Sequence, residues 1–192
     1  MIRPGRSAAA SDCRITRRHL LGLGAYGALA CALPRPAQAA RVDSASERAL
    51  AFYNTHTGER LRSVYWADGD YQPASLREID HLLRDHRTGD VLAIDPNLLE
   101  LLHRIHVELA TSEPFHVISG YRSPATNAKL RAQGGGVGRR SLHMQGKAID
   151  IFVPGREVSE LHRIARAQRS GGVGHYPKPG FVHVDVGRVR YW

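Results

Sequence analysis

Three strand-like stretches close the chain, "GGVGHY" (171–176), "FVHVDVG" (181–187) and "RVRYW" (188–192), with at most four residues between consecutive ones. A parallel pair needs a crossover of about a dozen residues or more, so connections this short dictate antiparallel neighbours. Upstream the pattern changes. Leu76, Ile79, Leu82 and Leu83 recur at helical spacing in residues 75–89, with Ser75 as a capping residue and Gly89 as a stop. Residues 95–110 read as a second helix, opened by Asp95 and by Pro96, whose missing N–H costs nothing at the first position. The same cap-then-proline start recurs at Ser123-Pro124, ahead of the "GGGVG" loop (134–138), and a fourth helix spans 157–169. Strands are expected at 51–59 and 60–71, joined at Thr57-Gly58-Glu59, and at 115–120 and 147–153. There is no internal repeat. The sum is an α+β domain with a mainly antiparallel sheet flanked by helices.

Not all of the 192 residues belong to that domain. Two adjacent arginines, Arg17 and Arg18, precede an apolar run from Leu20 to Leu33 and then Ala37-Gln38-Ala39. A basic start, a short apolar core and a small-x-small site make residues 1–39 a signal peptide, and the paired arginines point to the twin-arginine route. Alternatives are an uncleaved anchor or a lipid on Cys31. The run is too short and glycine-rich for a stable membrane span. Residues 40–50 read as a flexible lead-in and 51–192 as one domain, exported to the periplasm and expected to be monomeric.

The presequence also accounts for the charge. Six of the 27 basic residues and one of the 18 acidic ones lie in it, so a formal +9 becomes +4 after cleavage. That excess suits an anionic polymer without demanding one, and no recognition helix, stacking motif or basic run argues for nucleic acid. Cys13 and Cys31 are both in the presequence, so the mature chain has neither disulfide nor thiol nucleophile.

Chemistry concentrates in "SLHMQGKAIDIF" (141–152) and "GFVHVDVG" (180–187). His143 and Asp150 stand seven apart across Gly146, which suits a loop that turns at the glycine and ends in a strand. Alternation along that strand sends Asp150 to the face opposite Ile149 and Ile151. With His183, the two supply the imidazoles and carboxylate of a three-ligand zinc site. Solvent-facing side chains are the other reading of the spacing.

These motifs, with "SGYRSPATNAKL" (119–130) and "GGVGHYP" (171–177), resemble the zinc peptidases of the D-alanyl-D-alanine carboxypeptidase and VanX-type group, and among them the YcbK-like murein endopeptidases. That group shares its fold with lysostaphin and the Hedgehog amino-terminal domain. Its Ser-x-His, an Asp seven residues after the His, and a distant His match Ser141, His143, Gly146, Ala148, Asp150 and His183. The resemblance covers nearly all of residues 45–192. It implies a zinc metallopeptidase acting on peptidoglycan stem peptides and cross-links, with Zn2+ on His143, Asp150 and His183. It also implies a polarising or orienting role for Arg122. Ser141 is expected to orient the metal loop by hydrogen bonding; it lacks the context of a nucleophile.

The chain departs from the group where a proton acceptor is expected. The acidic residue three before the last ligand is replaced by Gly180, and a histidine two before it by Phe181. Asp185, two residues after His183, shares its face on a strand and can serve as base or as tautomer-fixing partner. His175, from a neighbouring loop, is the other candidate base. A wall-binding protein with zinc but no turnover and a carboxypeptidase trimming stem peptides are the alternative functions. The remaining histidines read as solvated or core-edge: His81, His86, His103, His106 and His162 in helices, His56 and His116 in strands. The arginines of "LHRIARAQR" read as a solvated face, or as a weak attraction to anionic wall polymer.

Overall fold

The structure, a computed structural model, describes residues 47–134 and 137–192. The presequence and the first part of the lead-in therefore lie outside the described residues. Strand β1 begins at Glu47 and runs to Asn54, with Leu50 buried, so the end of the stretch read as a lead-in is already core.

Eight strands form one sheet in the order β3-β2-β1-β4-β5-β7-β6-β8. They are β1, β2 (Arg60–Ala67), β3 (Asp70–Tyr71), β4 (Phe115–Ser119), β5 (Ala148–Phe152), β6 (Gly172–Tyr176), β7 (Phe181–Asp185) and β8 (Arg190–Tyr191). Four helices accompany them: α1 (Pro73–Leu82), α2 (Pro96–Leu109), α3 (Pro124–Ala132) and α4 (Val158–Ala167). The α+β reading holds, but the sheet is mixed. β1 and β4 run parallel because α1 and α2 fill the crossover between them, and β8 pairs parallel with β6. Short spacing alone misleads at β8, because the chain leaves β7, passes β6, and docks on the far side of it.

The segment read as one strand over 60–71 breaks at Asp68 and Gly69, both at positive φ, which fold β3 back on β2. α1 starts earlier than expected, with Gln72 as the flanking residue and Pro73 in the first turn, and it stops at Leu82. What ends it is Asp85. Its buried carboxylate accepts the N–H groups of Arg87 at 3.0 Å and Ser123 at 2.9 Å, turning the chain rather than continuing a helix. His86 therefore sits in a turn, stacked on His56 at 3.8 Å, and His56 lies beyond the end of β1. The Asp95 and Ser123 caps form as read, accepting from Asn97 and Thr126.

One face of the sheet carries the core. Leu50, Phe52, Phe115, Val117, Ile149, Ile151, Val182 and Val184 are fully buried beneath α1, α2 and α4, whose inward residues include Ile79, Leu98, Leu102, Ile105, Leu161 and Ile164. At about 25 cal/mol per Å2 of apolar surface removed from water, each such side chain contributes about 1.5–3 kcal/mol. That face fixes the register of β5 and β7, and so decides which residues are left for the other face.

Candidate metal centre

On that other face the register aligns a row across four strands. Ser119 on β4 lies opposite Asp150 on β5, Asp150 opposite His183 on β7, and His183 opposite Gly174 on β6. Directly opposed residues share a face with Cβ atoms about 4.5–5.5 Å apart, so pairing alone brings Asp150 to His183. His143 arrives from above on a short 3-10 helix, Leu142–Gln145, which ends at Gly146 with φ +66°. A side chain there would be strained, and a Cβ would stand 2.4 Å from the Ala93 carbonyl oxygen, so only glycine makes the turn. The hydroxyl of Ser141 makes no capping bond; its carbonyl accepts the Met144 N–H instead, so the orienting role expected of the side chain falls to the backbone.

Asp150 Oδ1 lies 2.8 Å from His183 Nδ1 and 3.3 Å from His143 Nε2, and the two ring nitrogens are 3.2 Å apart. All three residues are buried, and they are the one group of potential metal ligands found among the described residues. The partners behind them decide what these atoms present. His143 Nδ1 is 2.8 Å from the Gly120 carbonyl, which can only accept, so Nδ1 carries the proton and Nε2 presents a lone pair. His183 Nε2 is 3.0 Å from Asp185 Oδ2, so it too donates outward and leaves Nδ1 bare. Two lone pairs and a carboxylate oxygen thus converge, an arrangement that calls for a cation. A tetrahedral ion bound at about 2.0–2.1 Å sets its ligands about 3.3–3.4 Å apart, within a few tenths of an ångström of these separations for two of the three pairs. The residues fit zinc.

Electrostatics agree with the geometry. Burial lowers the proton affinity of His183, but hydrogen bonds and charge from Asp150 and Asp185 outweigh it and raise its pKa. Carboxylates that draw a proton to that spot draw a metal ion equally. Burial also opposes charge on Asp150, yet the two imidazoles hold its carboxyl well below the usual range. Arg122, nearly buried, places Nη2 3.6 Å from Asp150 Oδ2 and 3.2 Å from the Ser119 hydroxyl, and its Nε is buried without a partner.

The expected bases are placed elsewhere. Asp185 is completely buried on the far side of the His183 ring. Its oxygens also accept from Gly172 and Gly187 N–H and from Arg190 at 2.6 and 3.1 Å. Burial raises its pKa, but these donors overcome that and keep it ionised well below the usual range. It has no free oxygen for the centre. His175 is on the wrong face. It is opposite Val182, not His183, and stacks on His162 of α4 at 4.6 Å. Strand alternation gives the metal side to Gly174, where a Cβ would strike the Trp192 ring at 2.6 Å.

The centre floors a cleft of about 410 Å3 lined by Arg122, Arg140, Ser141, Tyr176, Phe181, Arg190 and Trp192 as well as His143, Asp150 and His183. Trp192 lies 5.3 Å from the His183 ring and donates Nε1–H to the Tyr176 hydroxyl at 2.8 Å, while Tyr176 stacks on Phe181 at 4.7 Å. This aromatic wall was not read from the sequence as part of a site. The departure at Phe181, on the same strand as His183 and two residues before it, was the available signal.

Residues 42–192 match the family described as peptidoglycan L,D-endopeptidase MepK. The chain belongs to the MepK family. Peptidoglycan L,D-endopeptidase MepK of Escherichia coli K12 is 39% identical over 176 residues, covering 92% of this chain and 96% of that protein. Probable peptidoglycan L,D-endopeptidase MepK of Haemophilus influenzae is 40% identical over 177 residues, 92% of this chain and 95% of its own. A solved L-Ala D-Glu endopeptidase, ChiX of Serratia marcescens, aligns with 40% of this chain and 62% of its own at 21% identity, with a TM-score of 0.32. MepK membership agrees with the family resemblance read from the Ser141–Asp150 and His183 motifs.

Proposed function

We propose that this protein is an exported zinc-dependent endopeptidase that hydrolyses peptide cross-links of peptidoglycan, in keeping with the L,D-endopeptidase names of its relatives. The observation that carries the proposal is the convergence of His143, Asp150 and His183, each in a metal-ready state, at the floor of a cleft. When bound there, zinc supplies Lewis acidity toward a peptide carbonyl and brings the ionisation of water toward neutral pH.

The chain's own residues do the rest. Asp185 fixes the tautomer of His183, and the Gly120 carbonyl fixes that of His143. Arg122 holds a guanidinium beside the centre, where a carbonyl oxygen gaining negative charge, or a stem-peptide carboxylate, is stabilised by fixed N–H donors. The wall of Trp192, Tyr176 and Phe181 excludes water from one side. Export rests on the Arg17-Arg18 signal in the sequence and places the protein in the periplasm, where it works as a monomer.

One observation favours a second reading. Among the described residues, Asp150 is the only carboxylate lining the cleft, so a second acid to accept a proton is missing there. A wall-binding protein that keeps zinc but does not turn over needs no such group. The test is digestion of purified cross-linked muropeptide dimers beside monomeric pentapeptides. We expect the dimer to be split and the pentapeptide left intact. Trimming of the pentapeptide alone establishes a carboxypeptidase, and attack on neither establishes the binding protein.

A further inference from the structure

We propose that the groove between α4 and β8 is a second binding surface, which holds the acidic stem peptides of peptidoglycan beside the strand being cut. The inference rests on the wall-directed reading above and concerns a surface outside the metal centre. α4 buries Leu161, Ile164 and Ala165 and turns Arg163 and Arg166 to solvent, with Arg169 exposed just beyond its end. Arg163 and Arg166, three residues apart on the helix, share one face, and Arg169, past the helix end at positive φ, extends this stripe by lining the same groove. None of the three has an ion-pair partner among the described residues, whereas Arg156 is paired with Glu160 at 3.6 Å and Arg190 with Asp185 at 2.6 Å. Free guanidinium groups on one stripe leave a local excess of positive charge for an anionic partner.

The stripe is also built into a recess. Arg163, Arg166 and Arg169 line a groove of about 630 Å3 whose other wall is Val189 and Tyr191 of the C-terminal segment. The Arg166 guanidinium carbon sits 4.5 Å over the Tyr191 ring, and the Tyr191 hydroxyl donates to the Arg166 carbonyl at 3.3 Å. An arginine held over an aromatic face is ordered in advance and keeps N–H donors for a carboxylate.

Strand alternation joins the groove to the cleft. Arg190 and Trp192 line the cleft, while Val189 and Tyr191 between and beside them line the groove. β8 is thus one rib with a site on each side, and a substrate leaving the cleft over this edge strand meets the arginine stripe. Peptidoglycan stem peptides carry free carboxylates at close intervals, which is the chemistry that three unpaired guanidinium groups select. Val189 and Tyr191 offer apolar surface to the aliphatic parts of the same peptides.

The test uses the mature protein and a triple variant, Arg163→Ala with Arg166→Ala and Arg169→Ala, sedimented with purified sacculi over a range of salt. Losing three surface ion pairs weakens binding by about tenfold at low salt, and the difference shrinks as salt rises. Turnover of a soluble cross-linked dimer is expected to stay at the wild-type rate. Sacculi whose carboxylates have been amidated should bind the wild-type protein as weakly as untreated sacculi bind the variant, an arm independent of how well the variant folds. Equal binding of both proteins to untreated sacculi, or no effect of amidation, overturns the proposal. So does a variant that has lost affinity only for vesicles containing anionic phospholipid, which makes the groove a membrane contact. If neither protein cleaves the dimer but sacculus binding divides as described, the groove stands and the endopeptidase reading falls.

Discussion

Replacing Asp185 with asparagine changes one atom and inverts the hydrogen-bond logic behind His183. The carboxylate accepts five hydrogen bonds: from Gly172 N, Gly187 N and Arg190 Nη1 on Oδ1, and from His183 Nε2 and Arg190 Nη2 on Oδ2. An amide can keep only one of those oxygens. Turned so that its NH2 replaces Oδ1, it confronts two backbone N–H groups and a guanidinium. Turned the other way it opposes fewer donors, but it then donates to His183 Nε2. The imidazole must move its proton to Nδ1, which faces Asp150 Oδ1 at 2.8 Å and His143 Nε2 at 3.2 Å. The proton now occupies the position the metal needs. Loss of such a supporting partner costs about 10–100-fold in metal affinity, equivalent to about 1.4–2.7 kcal/mol. The assay is competition for zinc against a chromophoric chelator, read beside turnover at saturating zinc. Asp185→Asn should bind zinc at least about tenfold more weakly and recover much of its rate when zinc is in excess. Wild-type zinc affinity with a lost rate would instead make Asp185 a proton carrier and not a partner that fixes the His183 tautomer.

Three further outcomes follow from the same structure. His175→Ala should keep both zinc and turnover, measured by metal analysis and dimer cleavage, because its ring packs on His162 across the sheet from the centre. Gly146→Ala should lower stability by about 2 kcal/mol or more in urea unfolding and weaken zinc binding with it, since φ +66° and a Cβ 2.4 Å from the Ala93 carbonyl oxygen both resist a side chain. Asp85 is pushed up by burial but brought down to about 2 by bonds from Thr126, Ser123 and Arg87. A carboxylate depressed on folding stabilises above its unfolded value and loses that contribution as pH falls toward its folded one. Asp85→Asn should therefore cost about 2 kcal/mol near neutral pH, and its gap from wild type should close between about pH 4 and pH 2, followed by denaturant unfolding at each pH.

The meeting of His143, Asp150 and His183 was legible because its constraints are local. Gly146 marks a turn, Asp150 between isoleucines must face away from the core, and His183 sits in an alternating strand. Helices opened by Asp95-Pro96 and Ser123-Pro124 were legible for the same reason, as each carries its own cap. What escaped depends on contacts between distant segments. α1 ends at Leu82 because Asp85 binds the N–H of Ser123, thirty-eight residues away. β8 lies beside β6 because Trp192 bonds to Val173 and His175 through the backbone, and no spacing rule contains that choice. The face taken by His175 follows from its register with Val182, a single-residue matter that a motif such as "GVGHYP" does not express. Asp185 was correctly placed beside His183 but not in depth, since five converging donors are a property of the folded loop.

The most direct test of the central claim is a zinc titration of metal-free protein with cross-linked muropeptide cleavage followed at each addition. Metal-free protein should give no product, activity should rise linearly to one equivalent, and His143→Ala and His183→Ala should take up no zinc, whereas His103→Ala behaves as wild type. Cleavage by metal-free protein, or one equivalent bound by the His183→Ala variant, contradicts the claim.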